Sequence, residues 1–468
     1  MLKNNNLLDL VEMKMKQRTM MHNKKLIFTI PLLFSIIILQ QIPSVSSAIP
    51  DYDVNSDGSC DIIDFVLIAN RFGESGSPGW IREDVDKNGL INILDITYVS
   101  NKYGESGWTN DNDRIKKLSI AYSNIMRYSA NQEFIASHFD MLDCPTTYYN
   151  AVENVKTLNP NIKVIGYYDA IFEDRTWSEW QYVNNHEDWF VHDINGNRIE
   201  RVVYPGQYLM NPNSGWSNYL AQKCRTFLTT YPQFDGIFLD ETVSDLVDCG
   251  YLFKIPYSQF GSGVLTNWRS WMYSHIRNLK TTIGSDMLMP NAYKDMQFCQ
   301  GSAHVHFWEG FIHGRGNAYN VNGYGTDGWN YGRVAIDLLH EQAELGNIIV
   351  VNSGCANSDA HPVEAKKWML FTYACFSFAV VDLNKAYYSW QFFNSDSTHG
   401  YYSEMDIELG QPVGDYYHVS GTAQVYARQF ANYYVAANLN LLGTGSVRFS
   451  INGASYTLAP RTAVFIPK

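Results

Sequence analysis

Two groups of acidic residues in this chain are placed for chemistry, and each suits a different kind. The run Gln233-Phe234-Asp235-Gly236-Ile237-Phe238-Leu239-Asp240-Glu241 is a turn, an apolar stretch and two carboxylates at its exit. Further on, His304-Val305-His306-Phe307-Trp308 leads in the same way to Glu309. Burying ionised groups without a purpose is costly, so Asp240 and Glu309 form a candidate pair. Paired carboxylates across a sugar are what glycoside cleavage requires, one to protonate the leaving oxygen and one to attack or to activate water. A separation of about 5–5.5 Å gives retention and about 6.5–9.5 Å gives inversion. Glu309 sits beside Phe307 and Trp308, and an apolar setting raises a carboxyl pKa, which makes it the better proton donor and Asp240 the nucleophile.

The second group is a duplicated calcium loop. One copy supplies Asp53, Asn55, Asp57, Gly58, the Ser59 carbonyl, Asp61 and Asp64; the other supplies Asp84, Asp86, Asn88, Gly89, the Leu90 carbonyl, Asn92 and Asp95. Calcium takes six to eight hard oxygens, brought in at alternate positions around a glycine turn. Each loop runs into a similar apolar segment and closes on Phe72-Gly73-Glu74-Ser75 or Tyr103-Gly104-Glu105-Ser106, so the unit is an internal repeat. Both loops end in Asp rather than Glu. The shorter side chain reaches the ion less readily with both oxygens, which favours two structural Ca2+ sites over a sensor. This loop-helix repeat, over roughly residues 51–106, resembles a dockerin, the calcium module that docks polysaccharide-degrading enzymes onto cohesin-bearing scaffold proteins. The resemblance implies such a partner; its position near the start of the chain departs from the usual C-terminal one.

These residues need a frame to hold them. After Trp108 apolar runs alternate with helical stretches: 118–125, 139–142, 163–169, 234–240, 287–291, 303–309, 348–352 and 378–382 read as strands, with helices over 216–230, 266–283, 332–345 and 363–376. Short continuous apolar strands alternating with helices indicate a parallel sheet covered on both faces. Eight of them fit an α/β TIM (β/α)8 barrel, whose reacting groups stand at the carboxyl ends of strands; a doubly wound open sheet is the alternative. From about Thr422, alternating segments punctuated by Gly443, Gly445, Asn452-Gly453 and Pro460 predict a small C-terminal β-sandwich. The expected division is therefore 1–48 signal peptide, 49–107 EF-hand-like calcium module, 110–420 barrel and 421–468 sandwich.

The stretch 234–240 also resembles the fourth-strand motif of glycosidases with (β/α)8 barrels, including the hypothetical glycosyl hydrolase family 15 and, more distantly, the α-galactosidase clan. In that clan the Asp closing the fourth strand is the nucleophile and a carboxylate after the sixth is the acid/base, which maps onto Asp240 and Glu309. Asp406-Ile407-Glu408-Leu409-Gly410-Gln411-Pro412 and Leu458-Ala459-Pro460-Arg461-Thr462-Ala463-Val464 resemble closing segments of such proteins. Other expected strand exits offer sugar contacts at Asn124, Tyr168, Asp169, Asn211, Asn291, Trp308, Asn352 and Trp390. Glu241 is a further contact, and a rival to Asp240 if the strand ends one residue later. No cofactor is expected for catalysis.

Lys24 and Lys25 before the apolar run 26–39, followed by Ser46-Ser47-Ala48, have the order of a secretory signal peptide, and the run is short for a membrane span. The expected place is outside the cell, secreted or held at its surface. Seven cysteines lack metal-type spacing, and Cys224 with Cys249 is the disulfide considered. A net charge of -12 argues against nucleic acid, and the 15% aromatic content suits stacking on sugar faces. Two rival readings remain open: a metal held by His304, His306 and Asp240 for polysaccharide deacetylation, and a non-catalytic carbohydrate-binding or surface protein.

Overall fold

The computed structural model describes residues 51–468 except 55–59, 79–80, 82, 105–112, 203, 247–252, 254–255, 293–298, 300–302, 304, 318–331 and 442. The expected signal segment and Asn55, Asp57, Ser59, Cys249 and His304 lie outside the described residues.

Two short helices open the described chain, α1 (Ile62–Asn70) and α2 (Ile93–Ser100). Both start on capping boxes: Asp61 and Asn92 accept from the first turn, while Asp64 and Asp95 reach back to the cap backbone. Val54, Cys60, Ile68, Val85, Ile91 and Val99 form their shared core, so Cys60 packs as a small hydrophobe. Gly89 has φ +86°, and a Cβ there would stand 2.7 Å from the Gly76 carbonyl oxygen, so this turn requires glycine.

Eight strands follow: β1 (Lys116–Ile120), β2 (Met141–Pro145), β3 (Lys163–Asp169), β4 (Gly236–Asp240), β5 (Met287–Pro290), β6 (Val305–Asn317), β7 (Ile348–Ala356) and β8 (Ala386–Trp390). Each pairs in parallel with its sequence neighbours, and β8 returns to β1. Between β5 and β6 the link is a single parallel bridge, Asn291 to Phe307. The sheet thereby forms a nearly closed (β/α)8 barrel. Helices α3 (Ser129–His138), α4 (Tyr149–Leu158), α5 (Gly215–Thr230), α6 (Val264–Ile283), α7 (Arg333–Glu344) and α8 (Pro362–Ala379) connect the strands among the described residues.

Strand alternation sorts side chains between two cores. Leu118, Ile120, Met141, Ile165, Phe238, Met289, Phe307 and Val350 fill the interior. Their sequence neighbours, such as Leu142, Val164, Ile237, Leu239, Trp308 and Val351, join the cores beneath the helices. The β3–β4 connection is long and carries a ribbon, Phe172–Asp174 against Gln207–Leu209.

The expected eighth strand at 378–382 is corrected. Phe378 and Ala379 end α8, and the strand lies at Ala386–Trp390. The cause is burial: every residue from Phe371 to Ala379 is enclosed. A helix apolar on all sides loses the periodicity that distinguishes it from a buried strand.

At the C-terminus β9 (Tyr417–His418), β10 (Val425–Gln429), β11 (Tyr433–Asn438) and β14 (Ala463–Pro467) form an antiparallel sheet, and β12 (Val447–Ile451) pairs with β13 (Ala454–Leu458). Val435 and Ala437 pack with the α8 core, whereas Ala436 turns to Phe449, Ile451 and Leu458 of the hairpin. The layering is that of a small sandwich, beginning slightly before residue 421. Arg428, 2% exposed, fastens it to the barrel: its guanidinium donates to the Ser377, Phe378 and Val380 carbonyls that end α8, and Nε donates to Gly414 O at 2.8 Å. Cys224 is a buried free thiol whose pKa is pushed up to about 12 by burial, so no pairing with Cys249 is retained. Among the described residues no helix is long and apolar enough to cross a membrane.

Candidate active site

The interior-facing register continues to the carboxyl end of the barrel, and there it changes from apolar to polar. Tyr122 follows β1, Asp143 lies in β2, Tyr167 and Asp169 end β3, Asp240 closes β4, Asn291 follows β5 and Glu309 lies in β6. Asp169 stands directly opposite Asp240 across the β3–β4 ladder. Barrels place reacting groups at this end because the loops there open to solvent while the strands hold the side chains rigidly.

Asn291 joins the two carboxylates chosen from sequence. Its Nδ2 donates to Asp240 Oδ1 at 2.9 Å and to Glu309 Oε2 at 2.9 Å. The two accepting oxygens are therefore within about 5.8 Å, and about 5 Å apart if each takes one hydrogen of the trigonal amine. Asp240 gathers two more donors, the Glu241 backbone N–H on Oδ1 at 2.9 Å and the Tyr167 hydroxyl on Oδ2 at 2.9 Å. Three converging donors are the surroundings of a carboxylate acting as acceptor.

Around this pair the electrostatics are crowded. Glu241, in a left-handed backbone conformation with φ +54°, is pushed up to about 7 by burial and by the Asp240 charge, against the pull of Arg201. Asp169 is raised well above the carboxylate range by burial, then by Glu241 and Asp240; its Oδ1 accepts from Ile171 N at 2.9 Å and Phe172 N at 2.8 Å. Asp143, fully enclosed, is likewise raised by burial and accepts from the Tyr122 hydroxyl at 2.5 Å. Tyr122 and Tyr167 meet edge to face at 5.2 Å, setting two Tyr–Asp pairs side by side.

Strand parity turns three of the expected contacts, Tyr168, Trp308 and Trp390, away from the barrel mouth. Tyr168 faces outward, against Phe227 at 5.9 Å and under Lys223. Trp308 and Trp390 are 0% and 1% exposed in the core beneath the helices. Asn352 keeps the interior register of Val350 and stands opposite Glu309 across the β6–β7 ladder, where it is enclosed and donates to Ser389 Oγ at 3.0 Å and Gln391 O at 3.2 Å. The Asn211 side chain accepts from Asn213 N at 3.0 Å in the turn before α5, so it serves that turn. Asn124 is exposed on the loop after β1, where its side-chain oxygen accepts from Tyr148. His306 shares the outward parity of Trp308, away from Asp240, which removes the geometric basis of the His–Asp metal reading. Tyr122, Asp143, Tyr167 and Arg201 are the site residues the sequence reading missed. The alternation Ile165, Tyr167, Asp169 could have found Tyr167, and Asp143 follows Met141 in the same alternation within β2; Arg201 has no local signal.

In the calcium module, Asp84, Asp86 and Asp95 each bring an oxygen to within 4.8 Å of the others. Asp95 is fixed by Asp86 N at 3.2 Å and Asn92 N at 2.8 Å, and Asp86 by Asn88 N at 3.0 Å. In the first loop Asp53 and Asp64 are enclosed, and Asp64 accepts from Val54 N and Asp61 N, each at 2.7 Å. Asp61 caps α1. Such converging hard oxygens fit calcium.

A nearly closed parallel barrel with paired carboxylates at its carboxyl end is an architecture suited to glycoside hydrolysis. The chain belongs to Hypothetical glycosyl hydrolase family 15, whose model matches residues 156–433. Residues 51–104 match the Dockerin type I domain, which implies calcium binding and a cohesin-type partner. No curated protein matches the chain. Similar solved structures include the glycoside hydrolase domain of PelA from Pseudomonas aeruginosa, at 13% identity and TM-score 0.40, covering 60% of this chain and 96% of that one. A maltogenic α-amylase, AmyB from Thermotoga neapolitana, aligns at 12% identity and TM-score 0.43, covering 75% and 96%. A Flavobacterium johnsoniae dextranase aligns at 10% and 0.46, covering 76% and 52%.

Proposed function

We propose that this chain is an exported glycoside hydrolase that cleaves O-glycosidic bonds of a poly- or oligosaccharide with retention of configuration. Asp240 is the nucleophile and Glu309 the acid/base. The observation that carries this reading is the Asn291 amine donating to both carboxylates, which suits the short separation of a double displacement rather than the wider gap that admits a water. Glu309 gives its proton to the glycosidic oxygen as Asp240 attacks the anomeric carbon, forming a glycosyl ester. Glu309 then takes a proton from water, which attacks the same carbon and frees Asp240. Tyr167 and the Glu241 N–H hold the nucleophile in place, and Asp169 and Glu241 border the sugar on the β3–β4 side.

The calcium module tethers the enzyme. Asp53, Asn55, Asp57, Ser59, Asp61 and Asp64 hold one Ca2+; Asp84, Asp86, Asn88, Leu90, Asn92 and Asp95 hold a second. Equivalent apolar residues of the two repeats, Ile62 with Ile93, Ile63 with Leu94 and Phe72 with Tyr103, are exposed and suit a cohesin-bearing scaffold protein outside the cell.

The test is turnover of a glycan panel by the full chain and by Asp240→Asn and Glu309→Gln. Loss of at least about 10³-fold in each is expected. Sustained hydrolysis by both variants removes the assignment, and binding without turnover by the unaltered chain supports the non-catalytic alternative.

A further inference from the structure

Arg201 is the cation that reaches the carboxylate cluster at the barrel mouth, and it comes from far away in sequence, on the β3–β4 connection. Its guanidinium pairs with Glu241 through Nη2 and lies 3.8 Å from Asp169 through Nη1, while Gln207 Oε1 accepts from Nη1 at 3.1 Å. The planar group is packed over the Phe172 ring at 4.5 Å and the Tyr204 ring at 4.9 Å, and the residue is 9% exposed. A cation enclosed between two rings and two carboxylates is pre-organised, with little rotamer freedom left to lose.

We propose that Arg201 is a positioning residue for the nucleophile's side of the site: it clamps Asp169 and Glu241, the carboxylates that flank Asp240, and sets the pH at which this cluster takes up its first proton. The inference rests on the reading of Asp240 as nucleophile. Glu241 faces Asp240 on its own strand, Asp169 and Tyr167 on β3, and Arg201 from the connection. Asp240 is bordered further by Asp143 on β2 and, through Asn291, by Glu309 on β6. Asp169, Asp240 and Glu241 are three carboxyl groups set against one guanidinium. Without it, mutual repulsion is relieved by protonation, so a proton arrives at higher pH and one carboxylate stops being a base or nucleophile. The left-handed backbone of Glu241 is consistent with a side chain held where Arg201 can reach it, since such conformations persist at positions fixed by their surroundings.

The experiment is a carboxyl-carbon NMR titration of the full chain carrying 13C at the Asp and Glu carboxyls. Loss of signal in Glu241→Gln and Asp169→Asn identifies the two resonances. In Arg201→Met the Glu241 and Asp169 midpoints should rise by about one pH unit, a tenfold change in proton affinity. In Glu241→Gln the Asp169 midpoint should fall by a similar amount, and in the double variant it should return to within about 0.3 unit of the unaltered chain. The acidic limb of kcat/KM on 2,4-dinitrophenyl glycosides should move in the same order, because that leaving group needs no proton and the limb then reports the nucleophile's side. Midpoints that stay within about 0.3 unit, even with a uniform loss of rate at every pH, overturn the proposal. If Arg201→Met does not fold, Arg201→Lys decides it: a point charge without the planar fork should still raise the Glu241 and Asp169 midpoints, and unmoved midpoints overturn the proposal. Activity surviving in Asp240→Asn would instead defeat the nucleophile assignment while leaving the titration result intact.

Discussion

Replacing Asn291 with alanine should disable the site without disturbing the fold around it. The side chain is half-buried and makes two hydrogen bonds to carboxylates, each 2.9 Å. Hydrogen bonds to charged groups contribute about 1.5–3 kcal/mol apiece. Water entering the half-open gap returns a large part of this, leaving about 3 kcal/mol on the transition state, or about a hundredfold in kcat/KM. Initial rates across pH 4–9 on a cleaved glycan, with thermal unfolding as a control, measure this loss. Activity within about threefold of the unaltered chain at every pH would refute the reasoning.

His275 is fully enclosed, and its value is pushed down to about 4 by burial. Nε2–H donates to the Ala170 carbonyl at 3.2 Å, which leaves Nδ1 to accept from the Ser217 hydroxyl at 2.9 Å. Because the unfolded chain takes up this proton near pH 6.5, stability is complete above that value and is lost, by about 3 kcal/mol, as pH falls toward 4. Urea unfolding of the full chain and of His275→Gln should show that slope flattened in the variant; equal slopes would count against it. Arg428→Met removes the donor to the carbonyls ending α8 and should cost about 3 kcal/mol, seen as a fall of several degrees in Tm. Chelating calcium should abolish protection from hydrogen exchange in α1 and α2 while the barrel strands stay protected; unchanged protection there would show that the loops do not depend on the ion.

Much of the frame was legible because its signals are periodic. Strands β3 and β7 begin where continuous apolar runs begin, and α5 to α7 start and stop within two residues of their expected bounds. The dockerin repeat was legible because calcium dictates both residue type and spacing. The eighth strand was not, since the end of α8 is enclosed on all sides and carries no polar face. The structure brings Asp240, Asn291 and Glu309 together, and each was legible because it stands at the exit of an apolar run. Aromatic residues misled: Tyr168, Trp308 and Trp390 sit one position out of phase with the interior register. Their enrichment reflects the helix-facing core as much as any sugar platform. Arg201 could not be read at all, because nothing local shows where a long connection will fold back.

The central claim is that Asp240 and Glu309 act on one glycosidic bond across a short gap bridged by Asn291. Proton NMR of the first product released by the full chain, recorded before mutarotation, tests it most directly. The account predicts a sugar with the anomeric configuration of the bond that was cut. A first product of opposite configuration would contradict it.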